Sequence, residues 1–247
     1  MAKIQCNMIS YKLQRTVDID IILPTVTIPQ TRHQDVQPVH HTYPHPYPVL
    51  YLLHGYGNNH KQWCGYTNVE LFAEERQIAV VMIAGENKFY MNYSQDLFYD
   101  FIEEESPEFI TQTFPISSRP QDTYIAGLSM GGFGALYHGL THPEHYHAIG
   151  AFSPALTKDD VSIENITKEV LSKQEKLPDI YIACGDQDFL YEADLAYVQL
   201  LKDQNVSHTW VSEPGYEHEW RFWNLCIERF LDWLDREDFY AHEKRKV

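Results

Sequence analysis

Six residues, Gly127-Leu128-Ser129-Met130-Gly131-Gly132, constrain the folding of this chain more than any others because of what flanks them. Ahead of them Thr123-Tyr124-Ile125-Ala126 is a run of β-formers. Behind them residues 133–140 have helical composition, and Pro143 follows closely enough to mark an end. A G-x-S-x-G run caught between strand and helix predicts a sharp turn. The two backbones pass so close there that side chains are excluded at the glycines. The turn sets Ser129 at a helix N-terminus, where unpaired backbone N–H groups favour developing negative charge. The chemistry expected of such a serine is acyl transfer, with ester hydrolysis foremost.

The rest of the chain supplies a matching frame. Residues 4–10 and 16–23 read as strands, and Val17, Ile19 and Ile21 alternate with polar residues as half-buried antiparallel strands do. Residues 49–53, 79–84, 123–126, 148–152 and 180–184 are nearly continuous apolar runs, expected where both faces of a sheet are covered. Helical segments fall at 67–76, 131–140 and 192–202. A last helix carries Trp220, Trp223, Ile227, Phe230, Leu231 and Leu234 on one face. Strands alternating with helices predict an α/β protein. Its central sheet is mostly parallel, with helices on both faces and antiparallel strands at the N-terminus. No repeat or linker divides the chain, so residues 1–247 are expected to form one domain.

A serine hydroxyl is a weak nucleophile and needs a base, and the base needs a group to orient it. In a strand–elbow–helix frame the order along the chain is nucleophile, acid, histidine. Tyr181-Ile182-Ala183-Cys184 runs into Gly185-Asp186-Gln187-Asp188, which puts carboxylates at a strand's C-terminal end. Asp188 is favoured over Asp186 because it lies farther into the loop that must reach the base. Gly215-Tyr216-Glu217-His218-Glu219-Trp220 supplies His218 just before the last helix. Ser129 would attack, His218 would take and return the proton, and Asp188 would fix the imidazole. The oxyanion needs two donors. One is the N–H of Met130, after the nucleophile; the other comes from Leu52-Leu53-His54-Gly55-Tyr56-Gly57-Asn58, with Tyr56 N–H foremost. This chemistry requires neither cofactor nor metal.

The formal net charge of −16 argues against a nucleic-acid partner, and no apolar run approaches a membrane span. Glu103-Glu104-Glu105 and Asp159-Asp160 read as solvated surface. Cys6, Cys64, Cys184 and Cys226 form no C-x-x-C pair, which suits buried or half-buried thiols in a reducing cytoplasm. The N-terminus has no signal-peptide pattern. His33, His40, His41 and His45 lie in a proline-punctuated stretch without ligand spacing and read as loop residues. His138, His142, His145 and His147 sit on or after the nucleophile helix and read as solvent-exposed.

Several stretches running through nearly the whole chain carry a family resemblance. They are Leu52-Leu53-His54-Gly55 with Asn58 and Trp63, Gly85-Glu86-Asn87-Lys88-Phe89-Tyr90-Met91-Asn92-Tyr93, residues 127–132, Cys184-Gly185-Asp186-Gln187-Asp188-Phe189-Leu190-Tyr191, and residues 215–220. Through them the chain resembles the putative-esterase (esterase-D-like) family of α/β-hydrolases, and most closely the cytoplasmic tributyrin-esterase type. The resemblance implies an α/β-hydrolase fold and cofactor-free hydrolysis of small short-chain acyl esters. It also implies an acid at the aspartate before Phe-Leu-Tyr, which is Asp188, and an oxyanion loop at Gly55 and Tyr56. Such relatives often self-associate, so a homo-oligomer is expected.

The relatives also include S-formylglutathione hydrolases, feruloyl and acetylxylan esterases and mycolyltransferases, so chemistry is better defined than substrate. Two stretches depart from the family pattern: the His- and Pro-rich segment 31–47, and a short polar cap-like segment around 153–178. The substrate pocket is accordingly expected among Gly55, Trp63, Phe89, Tyr90 and Tyr191, with ordinary core packing as the alternative for the aromatics. Two competing readings are a thioesterase acting on S-formylglutathione and a non-catalytic binding module. The first usually carries a cysteine soon after His-Gly, where this chain has none before Cys64. The second typically loses a part of the site, and here every part has a candidate.

Overall fold

In the computed structural model, which describes residues 1–32, 39–41 and 43–241, the apolar runs form the middle of one eight-stranded sheet. Its strands are β1 (Ala2–Ser10), β2 (Arg15–Leu23), β3 (Val49–Leu53), β4 (Ala79–Ile83), β5 (Thr123–Leu128), β6 (Ala148–Phe152), β7 (Asp179–Gly185) and β8 (His208–Glu213). The spatial order is β1-β2-β4-β3-β5-β6-β7-β8. β1 and β2 pair antiparallel, β2 lies antiparallel on β4, and every later pairing is parallel.

Period-two alternation along the buried strands decides the layering. Val49, Tyr51 and Leu53 of β3 point into one apolar core, while Leu50 and Leu52 point into the other. The first core is closed by three helices: α2 (consecutive pieces Phe98–Asp100, Phe101–Glu105 and Ser106–Thr113), α3 (Met130–Thr141) and α5 (Tyr191–Asp203). Ile163 of α4 (Ile163–Ser172) joins it. The second core is closed by α1 (Val69–Arg76) and α6 (Trp220–Trp233). This is the α/β-hydrolase architecture that the sequence predicts, with helices on both faces and antiparallel strands first.

The sequence pattern missed several elements, among them an edge strand and two helices. β8 has the mixed composition His-Thr-Trp-Val-Ser-Glu because it is an edge strand paired only to β7, so no continuous apolar run marks it. Residues 153–178 hold a small hairpin and helix α4, started by the Ser162 hydroxyl accepting from Asn165 N–H at 3.4 Å. α2 is masked by three consecutive glutamates and Pro107. The proline has no N–H to give the Glu103 carbonyl and its ring would press on it. The turn Phe101–Glu105 is the wider π form, which accommodates the proline.

That turn also corrects the reading of the acidic run. Only Glu104 is solvated; Glu103 and Glu105 are buried. Glu105 accepts from Ser10 Oγ at 2.6 Å and from the N–H groups of Tyr11 and Lys12, tying α2 to the β1–β2 turn. Glu103 accepts from His138 Nδ1 (2.5 Å), Tyr146 Oη (2.9 Å) and His145 Nδ1 (3.0 Å). Burial disfavours the charged Glu103, but the bonds from His138 and His145 outweigh it and hold its carboxyl at about 2. His138, expected at the surface, is fully buried.

Candidate active site

Parallel pairing delivers the C-terminal ends of β3, β5, β6, β7 and β8 to one edge of the sheet, where open α/β sheets bind ligands. Leu53 stands opposite Gly127, Leu128 opposite Phe152, Phe152 opposite Ala183, and Gly185 opposite Glu213. The residues singled out in the sequence follow directly after these positions.

Ser129 caps the start of α3 with φ 53° and ψ −114°, a left-handed conformation that a side chain adopts at a cost of about 1–3 kcal/mol. Three backbone bonds impose it. Ser129 N–H donates to Phe152 O (2.9 Å), and Ser129 O accepts from Phe133 (3.0 Å) and Ala155 (3.1 Å). The flanking glycines answer to packing, since a Cβ on Gly127 would overlap the backbone of Gly131, and one on Gly131 would overlap the Leu53 carbonyl. The Ser129 side chain is left half-buried on the open side.

The structure brings Asp188 and His218 together. His218 Nδ1–H donates to Asp188 Oδ2 at 2.8 Å, while Leu190 N–H donates to Oδ1 at 2.9 Å. Burial works against the charged Asp188. Its bonds from His218, Leu190 N–H and the Ser153 hydroxyl prevail and hold the carboxyl below the usual range. Asp186 instead accepts from Gly215 N–H at 2.7 Å and shapes the loop that carries His218. Among the described residues no hydrogen bond joins Ser129 Oγ to His218, and in proteins without substrate such a contact is often long, so its absence does not count against the expected pairing. Sequence reasoning missed Ser153, which is buried with φ 43° and also accepts from Trp223 Nε1 at 3.3 Å. Nothing in the sequence distinguishes it from any serine at a strand end.

A second carboxylate lies near the acid. Asp194 on α5 is fully buried and, among the described residues, accepts no hydrogen bond from oxygen or nitrogen. Burial pushes its carboxyl up to about 8, against a bond from the Cys184 thiol and helped by the Asp188 charge. An acid raised in the native state keeps its proton there after the unfolded chain has lost it. Asp194 therefore erodes stability as pH climbs from about 4 to about 8, by up to about 1.4 kcal/mol per unit. Asp194→Asn removes that penalty. Its melting temperature is expected to match the parent near pH 4 and to exceed it by a widening margin up to pH 8. Parallel curves across that range would mean that Asp194 is ionised in the fold.

Of the expected oxyanion donors, Met130 N–H is at the first position of α3, among the amides a helix start leaves without intrahelical partners. The loop after β3 lies directly alongside, since a Cβ on Gly55 would stand 3.6 Å from Ser129 Cβ. His54 holds that loop. Its Nε2 accepts from Gly85 N–H and its Nδ1–H donates to Gly55 O, both at 2.8 Å. Burial pushes the imidazole down to about 4, against the bond to Gly55. Tyr90 Oη donates to His54 O at 2.8 Å, and Gly57 N–H donates to Asn87 Oδ1 at 2.7 Å.

Two of the expected pocket residues need correcting. Trp63 and Tyr90 are completely buried and line no open surface; Trp63 donates to Leu53 O, and Tyr90 supports the loop just described. Tyr191 turns toward β8, with its hydroxyl 2.9 Å from Ser212 Oγ. Phe89 stays half-buried, 5.6 Å from Phe133 and 6.2 Å from Tyr56. The rim includes residues the sequence reading did not propose. Phe189 is 76% exposed with its ring 4.6 Å from His218, and Trp223 stands edge-on to the same imidazole at 4.9 Å. Phe189 was legible from its place beside Asp188. His33 lies outside the described residues, and His40, His41 and His45 do not gather into a ligand set. The four cysteines are free, two buried and two half-buried, and no helix among the described residues is long and apolar enough to cross a membrane.

The family model described as "Putative esterase" matches residues 25–225. An acetyl esterase of Caldicellulosiruptor saccharolyticus is 30% identical, across 96% of this chain and 99% of its own. FphF of Staphylococcus aureus, a fluorophosphonate-binding serine hydrolase solved with substrate bound, superposes with a TM-score of 0.81 at 26% identity. The match covers 94% of this chain and 97% of that one. S-formylglutathione hydrolase FrmB of the same organism gives 0.80 at 26% identity, covering 94% and 98%.

Proposed function

The chain belongs to the Putative esterase family, and from that premise we propose that it is a serine carboxylesterase acting on small, short-chain acyl esters. The observation that carries this reading is the buried, ionised Asp188 bonded at 2.8 Å to His218, at the sheet edge where Ser129 is held strained and open. In the proposed cycle His218 Nε2 takes the Ser129 proton as Oγ attacks the ester carbonyl. Asp188 holds Nδ1–H and stabilises the imidazolium. The N–H groups of Tyr56 and Met130 receive the oxyanion. His218 returns the proton to the departing alcohol, leaving an acyl-Ser129 that water, activated by the same imidazole, then hydrolyses. Similarity to an acetyl esterase supports a short acyl group, and the free cysteines support a reducing compartment.

Likeness to FrmB favours a second reading, hydrolysis of the thioester S-formylglutathione. Cys64, the first thiol after His54-Gly55, is half-buried; burial and the Glu70 carboxylate push it up to about 12, so it offers no thiolate to a substrate. The experiment is kcat/KM on p-nitrophenyl esters of graded acyl length beside S-formylglutathione. A maximum at two to four acyl carbons, well above the thioester, is the expected result; a dominant thioester rate transfers the assignment.

A further inference from the structure

The nucleophile helix α3 has Ser129 at one end and a group of imidazoles at the other. His142 caps its C-terminus, and the turn that follows brings His145 N–H to His142 O at 3.0 Å. The two rings lie parallel with centroids 4.8 Å apart. Glu103 reaches them from α2, re-aimed by the π turn, a helix irregularity often found at functional positions. Glu103, His142 and His145 each offer one ligand atom, all within 4.8 Å of one another.

We propose that Glu103, His142 and His145 bind a divalent transition metal of the Zn²⁺ class, clamping the C-terminal end of the nucleophile helix to α2. Two imidazoles and one carboxylate form a set that suits Zn²⁺. Tetrahedral coordination with metal–ligand bonds of about 2.0–2.2 Å puts ligand atoms about 3.3 Å apart. Glu103 Oε2 and His145 Nδ1 already stand at 3.0 Å, with the proton between them in the metal's place. Binding releases that proton, and the pair opens by only a few tenths of an ångström. The His142 ring, about one-third exposed, turns in from the side.

The surroundings are those of a supported site. Metal-bound carboxylates and imidazoles are held by further hydrogen bonds that fix their orientation. Glu103 turns its other oxygen, Oε1, to His138 Nδ1 and Tyr146 Oη, leaving Oε2 for the ion. Glu144 Oε1, 3.2 Å from His142 Nδ1 and 3.6 Å from His145 Nε2, is at hand as a fourth ligand or as a bond acceptor. A cavity of about 210 Å³, lined by Glu103, His145, Tyr146 and Glu108, gives an ion a way in. A cation here also meets the negative end of the α3 dipole. Twelve residues of helix separate this end from Ser129, about 18 Å, so the ion plays no part in the chemistry.

The test is titration of the metal-free full chain with Co²⁺, read by the visible ligand-field band of a four-coordinate site. One equivalent is expected to bind. His142→Ala and His145→Ala, both at partly exposed side chains, should weaken it about 100-fold or more, and Tyr146→Phe about tenfold. Zn²⁺ should raise the melting temperature of the parent and leave His142→Ala unmoved. A His40→Ala,His41→Ala control should keep the band. Absence of the band in the parent, or an affinity in His142→Ala and His145→Ala unchanged from the parent's, overturns the proposal. None of these readouts depends on esterase turnover, so failure here and failure of the esterase reading are told apart.

Discussion

Ser129→Ala is expected to lower kcat/KM on the best p-nitrophenyl ester by about 10³- to 10⁶-fold, with little change in melting temperature. The size follows from losing the covalent step while binding and the oxyanion donors remain. The stability outcome follows from the backbone, because among the described residues the Ser129 hydroxyl makes no hydrogen bond and its removal strands no partner there. Ser129→Gly should be equally inactive and melt higher. Glycine adopts φ 53° freely and recovers part of the ~1–3 kcal/mol that a side chain costs there. Activity of the alanine variant within about tenfold of the parent would remove Ser129 as nucleophile. A glycine variant no more stable than alanine would mean that the turn stores no strain.

The second large effect separates two aspartates two residues apart. Asp188→Asn is expected to cut kcat about 10⁴-fold. The amide cannot stabilise an imidazolium, and an N–H turned toward His218 Nδ1 favours the tautomer whose Nε2 is already protonated and cannot accept from Ser129. Asp186→Asn should stay within about tenfold of the parent, because that carboxylate serves Gly215 N–H and not the imidazole. The reverse ranking would give the acid's role to Asp186 and require the 186–188 turn to rearrange when substrate binds.

Both variants were conceivable from the sequence because the chemistry is local to strand ends. Residues 127–132 and 185–188 each follow an apolar run whose pattern fixes where a strand ends, and residues 215–220 lie just before a helix with a legible apolar face; parallel pairing brings the strand ends to one edge. The buried strands were legible for a similar reason: β3, β4, β6 and the middle of β7 are unbroken apolar runs, which only a sheet covered on both faces accepts. Edge strand β8 and helix α2 were not. One is half-solvated, and the other hides a buried glutamate pair behind the composition of a surface.

What the sequence determined by itself is therefore the layered fold, the elbow, and the placing of Ser129, Asp188 and His218 at strand ends and before the last helix, because each depends on neighbours within a few residues. What only the tertiary structure decided is which polar and aromatic side chains turn inward. Trp63 and Tyr90 became supports of the core and the β3 loop. Ser153 became a partner of Asp188, and Glu103 joined three side chains from 35 to 43 residues away. A buried polar group is tolerated only where distant parts of the chain supply its hydrogen bonds, and no local pattern records which parts will meet.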